Sequence, residues 1–195
     1  MPWEKTFDVD EAVDQAMNLF WQKGYESTSL SNLMEAIGIN KGSFYNAFGS
    51  KKNLFMKSLI KYDRVHRKAV FEEFAAMNNP VLAITMLFDG LVEQSVNDKD
   101  RKGCFLVNTA LDLPHHDEKT EQTVKQGFTE VGAFFKRQIE LGRQIGAIPT
   151  SVDADVTANS MLTLLVGLRV LARGVFDRDS LMAIRDQAIG LIRKV

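Results

Sequence analysis

Apolar residues in this chain recur every three to four positions in stretch after stretch, and nowhere do they alternate convincingly. That spacing places them on one face of an α-helix, whereas a half-buried strand needs strict alternation. Val9, Ala12, Val13, Ala16, Met17 and Phe20 share a face of a first helix stopped by Gly24, and Leu30, Leu33, Met34 and Ile37 share one on a shorter helix stopped by Gly38. A third short helix is expected from Asn40 to about Phe48, and a long basic helix from beyond Gly49-Ser50 to about Ala76. Further helices are expected from Val81 to about Val96, Cys104 to Leu113, about Glu118 to Leu141, Asp153 to about Arg173 and Asp179 to Lys194, with Gly, Pro and Asn between them. The pattern predicts an all-α fold of about nine helices. It divides into an N-terminal three-helix helix-turn-helix domain at 1–50 and a helical ligand-binding and dimerisation domain at 51–195, linked by the long helix starting near residue 51.

A composition of 45% hydrophobic and 25% charged residues describes a globular chain, and 195 residues can bury a core without disulfides. The single cysteine, Cys104, has no internal partner, and the opening MPWEKTFDVDEA lacks the basic end and apolar run of a signal peptide. No stretch approaches the roughly 18 uninterrupted apolar residues of a membrane span. The longest candidate, Met161 to Val170, contains Arg169. A cytoplasmic protein without a membrane partner is expected.

The net charge of −1 conceals an asymmetry: between Gly38 and Lys68 stand eight lysines and arginines against the single acid Asp63. Such a run is either a solvated helix face or an electrostatic footprint for nucleic acid. What precedes it bears on the choice. Ser29 can cap a helix, Gly38 can end it in a left-handed conformation, Ile39 can plug the gap to the next helix, and Asn40 can cap that one. Two short helices joined by such a turn make a helix-turn-helix, whose second helix enters the major groove. With Phe44 and Phe48 inward, Lys41, Gly42, Ser43, Tyr45, Asn46 and Ala47 lie on the other faces. Lys41 suits a phosphate or a guanine edge, Gly42 a close backbone approach, Tyr45 a phosphate or a thymine methyl, and Asn46 the two-bond edge of adenine. Ser50, Lys51 and Lys52, with the amides of the next helix, form a phosphate clamp.

The run from Phe20-Trp21 through Gly24-Tyr25, Thr28-Ser29 and Ile37-Gly38-Ile39-Asn40-Lys41-Gly42-Ser43-Phe44-Tyr45-Asn46 to Phe48-Gly49-Ser50-Lys51-Lys52 and Leu54-Phe55 resembles the DNA-binding domain of the TetR family of regulators. The resemblance implies a homodimer on a palindromic operator, acting as a repressor released by a small-molecule inducer, with no cofactor. It also implies DNA contacts at Thr28, Ser29, Lys41, Ser43, Tyr45, Asn46 and Lys51. One departure is the acidic lead-in, Asp8, Asp10, Glu11 and Asp14, where many members carry an arginine or lysine.

In the C-terminal part, Ala158, Met161, Leu162, Leu165, Leu168 and Leu171, followed by Leu181, Ile184, Ala188, Leu191 and Ile192, form apolar surfaces that a symmetric pair can join as four helices. A homodimer through the last two helices is expected. The segment Lys102-Gly103-Cys104 resembles the Gly-Cys start of the sixth helix in one TetR branch, some of whose members sense electrophiles. Cys104 is thus either a thiol sensor or a buried small hydrophobe. Expected ligand contacts are Cys104, Phe105, Asn108, Phe128, Phe135 and Met161, with Met86, Phe88 and Phe134 as further wall. His115-His116-Asp117 with Asp112 is not expected to converge on a metal, and no catalytic constellation is evident. The competing reading is an all-α small-molecule-binding or interaction protein without operator specificity, which operator binding separates from the first.

Overall fold

The computed structural model describes residues 7–193; the opening residues 1–6 and the end of the last expected helix at Lys194 lie outside them. The chain divides into two compact units, Met1–Val65 and His66–Val195. The first holds α1 (Val9–Lys23), α2 (Leu30–Ile37), α3 (Lys41–Phe48) and α4 (Lys51–Tyr62). The helix then continues through one π-helical turn, Asp63–Lys68, into α5 (Ala69–Ala75). The second unit adds α6 (Pro80–Asn97), α7 (Phe105–Leu111), α8 (Glu118–Gln144), α9 (Ala154–Leu171) and α10 (Arg178–Gly190). Counting α4, the π turn and α5 as one, there are nine α-helices and no strand among the described residues.

The units divide after Val65, beyond the boundary expected at residue 50. The cause is packing: the apolar face of α4, with Leu54, Phe55, Leu59 and Tyr62 buried, closes the core of the first unit against α1. Phe55 meets Phe20 edge-on at 5.1 Å, and Tyr62 meets Trp21 at 4.8 Å. Fully buried Leu33 and Phe44 complete this small core.

The core of the second unit gathers Ile84, Phe88, Phe134, Phe135, Met161, Leu168, Leu181 and Ile189 from α6, α8, α9 and α10. The loop before α7 is fastened to α9 by a buried guanidinium: Arg169, 4% exposed, donates to Ser95 Oγ at 3.1 Å and to the Gly103 carbonyl at 2.8 Å. Gly103 sits at φ +68°, where a Cβ would lie 2.9 Å from Arg173 Cδ and 3.3 Å from the Arg169 carbonyl oxygen. A side chain there would be strained by the left-handed backbone and would press on the Arg173 side chain. The break at Pro114 is a short 3-10 turn, Leu113–His115, because proline cannot continue the α-helical hydrogen bonds. Among the described residues no group of His, Cys, Asp and Glu is arranged to hold a metal.

Candidate nucleic-acid interface

Three polar caps build the reading face. Ser29 Oγ accepts from the Asn32 amide at 3.1 Å while the Asn32 side chain accepts from the Ser29 amide at 3.1 Å, a reciprocal capping box that starts α2. Gly38, at φ 72° and ψ 31°, turns the chain out of α2 in the left-handed region. Asn40 Oδ1 then accepts from the Ser43 amide at 2.9 Å and starts α3. A Cβ at Gly42 would lie 3.3 Å from Asn40 Oδ1, so the glycine also leaves that cap its room. At the far end, Ser50 caps α4 through the Asn53 amide at 3.1 Å.

Phe44 and Phe48 are buried, their rings 5.6 Å apart, and anchor one side of α3. Lys41, Gly42 and Asn46 are exposed on the other side, as is Tyr45 at 43% exposure. These four share the solvent face that the spacing predicted. Ser29 is exposed too, although its hydroxyl is engaged in the cap.

Two of the expected contact residues have buried side chains. Thr28 is fully buried and its hydroxyl donates to the Gly24 carbonyl at 2.7 Å, so its side chain closes the turn between α1 and α2. Ser43 is 5% exposed because it follows the cap on the inward flank of α3. Neither side chain presents itself at the surface. Lys51 is half-buried, its ammonium 4.2 Å from the centre of the Tyr25 ring, and burial lowers its pKa while Glu26 partly restores it. Its charge is held over an aromatic face at the start of α4.

The acidic lead-in has a partner that spacing could not reveal. Lys61 Nζ lies 2.8 Å from Asp10 Oδ2, 2.7 Å from Asp14 Oδ1 and 3.0 Å from the Asp10 carbonyl oxygen, tying α1 to α4. Asp8 caps α1 through the Asp10 amide at 2.7 Å. One base of the run therefore serves the fold. The Lys61 hydrogen bond lowers the Asp10 pKa against a smaller opposing effect of burial. Burial of Lys61 opposes its charge, yet the bonds to Asp10 and Asp14 leave its pKa raised. The Asp10 contribution to stability is complete above about pH 4, its unfolded value, and disappears as pH falls through the lower folded value. Asp10→Asn is expected to lower the thermal midpoint at pH 7. The gap to the unsubstituted protein narrows as the melts are repeated toward pH 3, and a constant gap would remove the ion pair as its cause.

In the second unit the expected ligand residues lie in several settings. Phe105, Phe135 and Met161 are buried in packing, and Met86 is 40% exposed. Asn108 is tied to the Lys102 carbonyl at 2.7 Å and to Arg173 at 3.2 Å. Cys104 is half-buried at the start of α7 and makes no side-chain cap. Phe128 lines a groove of about 440 Å³ between α8 and α9. A second groove, of about 470 Å³, runs between the π turn with α5 and α8. Phe71 and Phe134 wall it, and Arg67 bonds Glu130 there at 2.5 Å. Burial opposes the Glu130 charge, but bonds from Gln126 and Arg67 leave its pKa lowered. Sequence reading missed Phe71, Arg67 and Glu130, whose meeting depends on how α5 packs on α8.

Comparison with known proteins adds to this geometry. Residues 12–56 match the family model described as bacterial regulatory proteins, tetR family, and residues 80–187 that of the tetracyclin repressor-like C-terminal domain. The chain is 29% identical over 188 residues to the HTH-type transcriptional repressor ComR of Escherichia coli strain K12, covering 96% of this chain and 90% of that one. It is 25% identical to the uncharacterized HTH-type transcriptional regulator YezE of Bacillus subtilis strain 168, covering 96% and 97%. Among solved structures it resembles a cysteine mutant of the TetR family regulator CifR complexed with 26-bp double-strand operator DNA. The TM-score is 0.82 at 29% identity, covering 95% of this chain and 97% of that one. The reduced form of Escherichia coli NemR shares the fold, with a TM-score of 0.85 at 19% identity, covering 95% and 96%.

Proposed function

Because the chain belongs to the TetR family of bacterial regulatory proteins, it is a DNA-binding transcriptional regulator, and we propose that it acts as a dimeric repressor released from a palindromic operator by a small molecule. The observation that carries this reading is the seat of α3: Phe44 and Phe48 hold it from below while Lys41, Gly42, Tyr45 and Asn46 face solvent. On a duplex, Asn46 reads an adenine edge, Tyr45 reaches a phosphate or thymine methyl, Lys41 adds charge, and Gly42 admits the backbone. Ser29 and Lys51 lie at the ends of the motif and contribute phosphate contacts. The protein works as a regulator without catalysis, in the bacterial cytoplasm where its operator is.

A second copy is supported by the outward face of α9. Val156 is 64% exposed, and Leu162, Leu164, Val166 and Val170 are half-buried, the first three of these packed partly against the core. The only charged residues of α9 are Asp155 and the buried Arg169. On α10 and just beyond it, Ile184 is half-buried and Leu191 is exposed. Ala154–Leu171 is long and apolar enough to cross a membrane by length and composition, with 39% of that stretch buried. Here its uncovered part meets the same helix of the partner in a symmetric four-helix arrangement, which gives the two reading helices that a palindromic operator needs.

Titration of the DNA upstream of its own gene against the purified protein at several salt concentrations tests the reading. Specific binding is expected to persist at salt where a scrambled duplex no longer binds, with a slope set by the neutralised phosphates. Equal binding to both duplexes at every salt concentration would sink it.

A further inference from the structure

The groove of about 470 Å³ lies within the His66–Val195 unit and changes character along its length. Glu130 of α8 meets Arg67 on the facing wall, and four residues on in both walls Phe134 meets Phe71 edge-on at 4.9 Å. The two walls therefore run in the same direction, and the next turn of each brings Ala75 and Arg137 to the far end.

The first end is filled by bonded charge. Arg67 is 9% exposed and bonded to Glu130, which also accepts from Gln126 Nε2 at 2.8 Å and has Lys68 Nζ at 3.6 Å. The middle is apolar, between Phe71, Ala133 and Phe134. The far end holds Arg137, an exposed side chain that makes no hydrogen bond or ion pair among the described residues. With Lys68 and Glu72 counted, three cations line the groove against two carboxylates, so one positive charge is unanswered. A guanidinium offers a carboxylate two parallel bonds from a fixed fork. A volume of this size, mostly apolar with a few placed polar groups, suits a small molecule.

We propose that this groove is the inducer site and that the inducer is a monocarboxylate with an apolar body, its carboxylate on Arg137 and its body along Phe71, Ala133 and Phe134. The proposal rests on the reading of the His66–Val195 unit as a sensor and names the class of molecule it senses. A single negative charge answers the one left over, while the bonded end turns away a second. Arg67 and Lys68 belong to the π turn, so an occupant touches the segment in which the two units divide. Such turns are frequent at functional sites.

Calorimetry on the full-length protein tests this with three probes. 4-Phenylbutanoate carries body and charge, 4-phenylbutanamide the body alone, and butanoate the charge without the ring. The unsubstituted protein is expected to bind 4-phenylbutanoate about ten-fold more tightly than either of the others. Arg137→Gln is expected to bind the acid and its amide alike with an unchanged melting midpoint, because the side chain is exposed. Lys136→Gln is the control for general charge, since Lys136 lines the other groove and pairs with Asp155 at 2.7 Å, and it is expected to keep the preference. No binding of 4-phenylbutanoate, equal binding of any two probes that include it, or a preference that survives Arg137→Gln overturns the proposal. So does a preference lost equally in Lys136→Gln. If the expected pattern is found but 4-phenylbutanoate leaves operator affinity untouched, the site stands and ligand-released repression fails.

Discussion

Phe44→Ala removes operator binding by unfolding the part of the protein that reads DNA. Phe44 is fully buried, its ring 5.6 Å from that of Phe48 and 5.6 Å from that of Tyr45. An isolated helix of eight residues is not stable in water, so α3 exists because this aromatic side chain seats it. Truncating a buried phenylalanine costs about 3–5 kcal/mol, comparable with the whole stability of a small domain. Circular dichroism during heating is expected to show an early transition that carries part of the helical signal. The substituted protein should fail to shift an operator fragment above that transition. A midpoint within a degree of the unsubstituted protein would mean that another residue seats α3.

Tyr45→Ala is the complementary case, weakening DNA binding with the fold intact. Its side chain is 43% exposed, and surface truncations of this kind change stability by roughly 0.5 kcal/mol or less. A side chain that meets a phosphate or a base edge contributes about 1–1.5 kcal/mol, and each substitution enters a dimer twice. The expected loss is therefore roughly 30- to 150-fold in operator affinity, with the melting curve and the dimer unchanged. Unaltered affinity would remove Tyr45 from the interface. Dissociated dimers would show that the side chain serves assembly instead.

The two substitutions also mark how far the candidate site was legible before any coordinates. Phe44 and Tyr45 are adjacent, and helical periodicity alone assigns one inward and the other outward. The caps were equally legible, since Ser29, Asn40 and Gly38 each have a local reason to stand at a helix end. Thr28 and Ser43 were not. A small hydroxyl reads as a surface contact, yet Thr28 is buried with its hydrogen bond satisfied at Gly24. The basic run likewise promised more free charge than it delivers, because Lys61 is engaged by Asp10 and Asp14 from a different helix. Two of the four acids that looked anomalous beside a DNA-binding motif, Asp10 and Asp14, are the counterions of that lysine, and Asp8 caps α1.

What the sequence determined unaided is what short-range physics controls: the helices, their ends, and which face of each is apolar, because hydrogen bonding and burial repeat within a few residues. What only the tertiary structure decided is which side chains from distant helices meet: Lys61 with Asp10, Arg169 with the Gly103 carbonyl, and Phe71 with Phe134. It also left Gln138 Oε1 without a donor. Those outcomes follow from close packing between elements, where a displacement of about an ångström makes or breaks a hydrogen bond, and no local pattern of residues encodes it.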